Sequence, residues 1–141
     1  MLVVALLLAG CGGNGAAVPF VDISARFTGF APARLVSATF KGPVKFGDFL
    51  QDTMPGSAPT VPAIDWPRRE AILIATGPRS STGYALHVVS VQQPGARLVV
   101  TVKERTPALG EPVVARVTYP YKLITVPRTD KKLLLHFEGR P

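Results

Sequence analysis

Ala71-Ile72-Leu73-Ile74-Ala75 contains no polar residue. Five apolar residues in a row are too few for a core helix and suit a strand buried on both faces. The runs that follow read differently. From Tyr84 to Gln92, Leu86, Val88 and Ser90 fall on one face and His87, Val89 and Val91 on the other. From Leu98 to Lys103, Leu98, Val100 and Val102 alternate with Val99, Thr101 and Lys103. Alternation of this kind marks strands with one face on a core and one towards water. Pro94-Gly95 between them is a tight-turn pair, so the two runs are expected to form a hairpin.

The same punctuation extends outward. Thr106 to Pro112 is a Pro/Gly loop, and Val113–Tyr119, Tyr121–Val126 and Lys132–Phe137 read as three further strands. Upstream, Val18–Ile23 and Arg34–Phe40 read as two strands around a Gly29-Phe30 turn. Phe46, Phe49 and Leu50 fall at i, i+3 and i+4, which predicts a short helix over Phe46–Gln51, weakened by Gly47 and ended by Pro55-Gly56. Ser57 to Pro62 is a Pro-rich loop. With 13 Gly and 14 Pro in 141 residues, short strands and turns outnumber helices. The expected fold is mostly β, a single β-sandwich or half-open barrel with one short helix.

Composition narrows the function. An apolar fraction of 47% against 18% charged residues indicates a folded domain and not a disordered chain. The single Cys, Cys11, leaves no intrachain disulfide. The net charge of +7 would favour nucleic acid in a cytoplasmic protein, yet Lys131-Lys132 and Arg68-Arg69 are the only basic doublets and no basic helix or zinc spacing appears. Nucleic acid is not expected as a partner; anionic headgroups, cell-wall polymer or an acidic protein face suit the charge better.

Catalysis finds no constellation. His87 and His136 each sit mid-strand in alternating runs, and Ser80, Ser81 and Ser90 lack a Gly-x-Ser-x-Gly elbow. No His/Asp/Glu group has metal-ligand spacing, and the carboxylates are dispersed. Gly77-Pro-Arg-Ser-Ser-Thr-Gly83 lacks the Gly-Lys-Ser/Thr end of a phosphate loop. The reading is therefore non-enzymatic, with no catalytic residue, metal, cofactor or small-molecule substrate assigned.

Two segments stand out as binding candidates. Gly77 to Tyr84 is a polar, Gly-framed loop between strong strands. Gly83 permits positive φ or close backbone approach, and Tyr84 offers an aromatic face with a polar tip. The plainer reading is a strand connection closed by a Gly. Tyr119-Pro120-Tyr121 to Arg128 is the second. Pro120 belongs at a strand start or edge, and the two Tyr form either a binding ledge or corner packing.

The chain opens with Met1-Leu-Val-Val-Ala-Leu-Leu-Leu-Ala-Gly-Cys11. This run is too short for a spanning helix, which needs about 20 apolar residues. Leu8-Ala9-Gly10-Cys11 resembles a bacterial lipobox, although no Lys or Arg precedes the apolar run; the alternative is a buried N-terminal strand ending in Cys. The resemblance implies a signal peptide over 1–10, cleavage before Cys11 and lipid on its sulfur, which would tether the domain to the extracytoplasmic side of the cell envelope. On this partition 11–17 is the lipidated Cys and a flexible tether, and 18–141 is one β-rich domain.

Taken together, Ile64-Asp65-Trp66, Ala71–Ala75, Ser81-Thr82-Gly83-Tyr84, Leu98–Glu104, Tyr119-Pro120-Tyr121 and Val126-Pro127-Arg128 resemble the PrcB family C-terminal domain, over residues 64–137. Gly110-Glu111-Pro112 stands where many members carry Gly and Cys. The resemblance implies a membrane-anchored accessory or assembly subunit of an extracellular protease complex. Arg79-Ser80-Ser81-Thr82-Gly83-Tyr84 also resembles, over one loop, the Asn-Pro-Thr-Thr-Gly-Tyr loop of chagasin-type cysteine protease inhibitors. The competing readings are such an inhibitor, using 79–84, or a structural envelope lipoprotein with no protease client. The expected partner-binding residues are Arg79, Ser81, Thr82, Gly83, Tyr84, Tyr119, Tyr121 and Arg128.

Overall fold

The computed structural model describes residues 15–139; the apolar run and Cys11 lie outside them. In chain order the elements are β1 (Ala16–Ala17), β2 (Val21–Asp22), β3 (Val36–Phe40), α1 (Pro43–Thr53), β4 (Arg69–Ala75), β5 (Ala85–Gln93), β6 (Arg97–Arg105), β7 (Tyr121–Pro127) and β8 (Lys132–Glu138). One sheet has the order β1-β5-β6-β8 and the other β2-β7-β4-β3. They pack as a sandwich; no barrel closes among the described residues. The β5–β6 hairpin is antiparallel, and β8 lies parallel to β6.

The apolar run of β4 is explained by three layers, not two. Ile72 and Ile74 join Ile124 and Val126 of β7 against Leu86, Leu98, Val100 and Val102 of the hairpin sheet. Ala71, Leu73 and Ala75 face the other way, onto Phe40, Phe46, Leu50, Phe27 and Phe30. The β4 sheet is thus the middle layer, with the hairpin sheet on one side and α1 with the Ile23–Phe30 crossing on the other. Helix α1 is longer than expected. Pro43 opens it, where a missing N–H costs nothing, and Phe46 and Leu50 are its buried residues.

Four expectations are corrected. The first strand, expected over Val18–Ile23, is split: Ala16–Ala17 pair with Gln93 and Gln92 in one sheet, and Val21–Asp22 pair with Thr125 and Ile124 in the other. Pro19, which has no N–H to give a ladder, stands at the crossing. Ala16 and Ala17, read as tether, are therefore part of the sandwich. The segments around Gly29-Phe30 do not face each other, because β2 and β3 are opposite edges of the middle sheet. In β5 the pairing skips Val89, with Val88 opposite Val102 and Ser90 opposite Thr101. This bulge turns Val91 inward, onto the face that alternation had assigned to Leu86. Finally, Val113–Tyr119 is not a strand, for reasons that concern the site itself.

Candidate functional site

Ala75, Tyr121, Ala85 and Arg105 all lie at one end of the sandwich, since β4 ends where β7 begins and β5 begins where β6 ends. The loops 76–84 and 106–120 therefore share that end, and they are stitched together. Arg79 N–H donates to Thr118 O at 2.8 Å, and Thr118 N–H to Arg79 O at 2.9 Å. Thr82 N–H donates to Val114 O at 3.1 Å, and Val114 N–H returns to Thr82 Oγ1 at 3.0 Å. Thr118 Oγ1 donates to Ser81 O at 2.7 Å. The chain at 113–119 gives its polar backbone groups to a loop and not to a ladder. That is why Val113, Val114 and Val117 do not form a strand.

Glu104 explains the position of Arg79. It follows Leu98, Val100 and Val102 at the inward parity of β6, and its side chain is 3% exposed. A buried carboxylate needs a cation, and Arg79 Nε donates to Glu104 Oε2 at 2.8 Å. The same guanidinium reaches Pro78 O at 3.2 Å and lies 6.0 Å from the centre of the Tyr84 ring. Arg79 is thus engaged within the fold. Glu104 was missed as a site residue, although a charged residue at inward parity was already a signal.

Gly83 shows why this position excludes a side chain. Its φ is not positive. A Cβ there would lie 2.5 Å from Pro107 Cβ and 2.8 Å from Val113 Cγ1, so the requirement is close approach. Its carbonyl accepts from Arg105 Nη1 at 2.6 Å, and its N–H donates to Ser81 Oγ at 3.4 Å. The backbone groups around Gly83 are thus paired within the fold, and both Ser81 and Gly83 are buried.

Arg105 also pairs with Glu111. Glu111 accepts from Ala108 N–H at 2.8 Å and donates its own N–H to Ala108 O at 3.0 Å. Arg105 first, then the Ala108 N–H, hold the Glu111 carboxyl below the usual range. Gly110 supplies the left-handed φ of 81° at this turn. Leu109, at the apex, is 106% exposed, and Val113, Val114 and Val117 are 39%, 61% and 61% exposed. Four large apolar side chains therefore face water on a loop fixed by ion pairs and backbone bonds.

Residues 71–127 match the PrcB C-terminal family model. The PrcB C-terminal match begins in β4 and ends with β7, so it contains both stitched loops, Glu104 and the exposed Leu109–Val117 segment. It supports the resemblance read from the sequence. No curated protein and no solved structure matches the chain.

The remaining expected residues divide. Thr82, Tyr84 and Tyr119 stand at the loop end beside Arg79, Ser81 and Gly83. Tyr121 begins β7 at that end, but its ring packs 5.5 Å from Phe27 and 5.7 Å from Phe30 on the helix side, and its hydroxyl donates to Phe27 O. Burial pushes its phenol above the usual value. Arg128 does not join the loop end. It follows the far end of β7, about 20 Å from the loops, and its Nη1 donates to Trp66 O at 2.8 Å and Lys41 O at 3.2 Å. Among the described residues, no group of three His, Cys, Asp or Glu is placed to hold a metal, and no helix is long and apolar enough to cross a membrane.

Proposed function

We propose that the chain is a lipid-anchored, non-catalytic subunit that docks to a secreted protease through the Leu109–Val117 loop. The observation that carries this reading is the exposure of Leu109, Val113, Val114 and Val117 on a segment held by Arg105–Glu111 and by the Thr82–Val114 bonds. Exposed apolar clusters mark interaction surfaces, and a loop already ordered loses little entropy on binding. Tyr84 and Tyr119 flank the loop and add aromatic contact area. Lipid on Cys11 would hold the domain at the envelope surface where secreted proteases pass.

The test is co-purification from the native envelope. Wild type should recover a secreted protease with its activity intact, and Leu109→Ser/Val117→Ser should recover about tenfold less, a loss of roughly 1.4 kcal/mol in binding. Equal recovery by both proteins would overturn the assignment of this loop. A recovered protease that is silenced would make the protein an inhibitor instead.

A further inference from the structure

The far end of the sandwich carries a different surface. Here β3 and β8 are the outer strands of the two sheets, and no described strand lies beyond either. Between them is a groove of about 540 Å³, with Thr39 and Leu133 in its lining and four lysines around it: Lys41, Lys45, Lys131 and Lys132. Lys41 is already occupied, donating to Thr129 O at 2.8 Å and standing 3.9 Å from Glu70 and 3.6 Å from Asp130. Among the described residues Lys45, Lys131 and Lys132 have no carboxylate partner.

The free edge of β8 adds direction. Lys132 N–H donates to Ala96 O, so in this parallel pair Lys132, Leu134, His136 and Glu138 turn their backbone groups towards β6. Leu133, Leu135 and Phe137 then turn theirs to the open side. Unpaired strand groups of this kind accept an extended chain. We propose that this groove docks an extended acidic segment of a partner protein, which adds to the β8 edge while its carboxylates meet Lys45, Lys131 and Lys132. A lipid headgroup would satisfy the lysines but leave the strand edge unused, which favours the peptide.

The probe is a capped peptide of about eight residues alternating Glu and Val, followed by amide NMR of β8 and by fluorescence anisotropy. The peptide should shift the amides of Leu133, Leu135 and Phe137. Raising salt from about 50 to 300 mM, or introducing Lys131→Glu/Lys132→Glu, should each weaken it about tenfold. A Lys/Val peptide, and a Glu/Val peptide interrupted by Pro, should not bind. Binding indifferent to the lysines, or equal for acidic and basic peptides, would overturn the proposal. So would complete displacement by inorganic phosphate, which would mean a simple anion site. Lysine-dependent binding to phosphatidylglycerol vesicles without peptide binding would reassign the groove to lipid. Leu109→Ser should leave the titration unchanged, so the two surfaces succeed or fail separately.

Discussion

At the loop end, Arg79 and Arg105 each reach one carboxylate and at least one backbone carbonyl. At the opposite end, Lys45, Lys131 and Lys132 line a groove with no partner among the described residues. The difference follows from the carboxylates. Glu104 is buried at inward parity in β6 and must be neutralised in place. At the groove end the buried carboxylate is Glu70, which shares Lys41 with Asp130 and leaves the other lysines outside. One end therefore uses charge to hold a backbone and exposes apolar side chains. The other holds its backbone with strands and exposes charge.

The largest expected effect strikes the first end. Arg79→Ala should strand Glu104 without a cation and lower unfolding free energy by about 3–5 kcal/mol, measured by denaturant titration. Lys132→Ala should change it by less than about 0.5 kcal/mol. A similar loss for both would erase the contrast between the ends. Gly83→Ala comes next. Its methyl would press on Pro107 and Val113, at a cost of about 1–3 kcal/mol, and amide shifts confined to 106–118 would show where the strain goes.

The contrast was only partly legible. The buried run of β4, the hairpin and the alternation of β6 depend on side-chain periodicity, which sequence displays directly. The loop end depends on pairings across more than thirty positions, such as Thr82 with Val114, and these leave no periodic trace. Val113-Val114 and Val117 looked like a strand because β-branched residues favour one; their exposure became visible only with Val114 bonded to Thr82, and Thr118 to Ser81 and Arg79. The bulge at Val89 likewise inverts one face without any local mark. Arg128 stands apart from the loop end, since nearness in sequence to Tyr121 says nothing across the length of a strand.

Acid titration sharpens the groove end. Burial raises the Glu70 carboxyl above its usual value of 4.5, only partly offset by the Thr129 N–H, Lys41 and Arg128. The folded state then holds the proton more tightly than the unfolded chain. Its contribution to stability is full below pH 4.5 and is lost as pH rises through the raised value. Glu70→Gln should remove that downward slope in Tm against pH. Asp22 acts in the opposite sense. Burial pushes it up, but Lys122 and Ser24 outweigh that and lower it, so its contribution is present above pH 3.8 and fades as acid titrates it. A downward slope that survives Glu70→Gln would contradict the assignment. A small gain belongs to α1, where Gly47 is exposed with open space around it. Gly47→Ala should raise stability by about 0.5–1 kcal/mol, read as a higher denaturation midpoint.

The most direct measurement is the paired recovery of a secreted protease from native envelopes by wild type and by Leu109→Ser/Val117→Ser, with both proteins shown to melt alike. The loop account predicts active protease with wild type and about tenfold less with the variant. Equal recovery, or none with either protein, would contradict it.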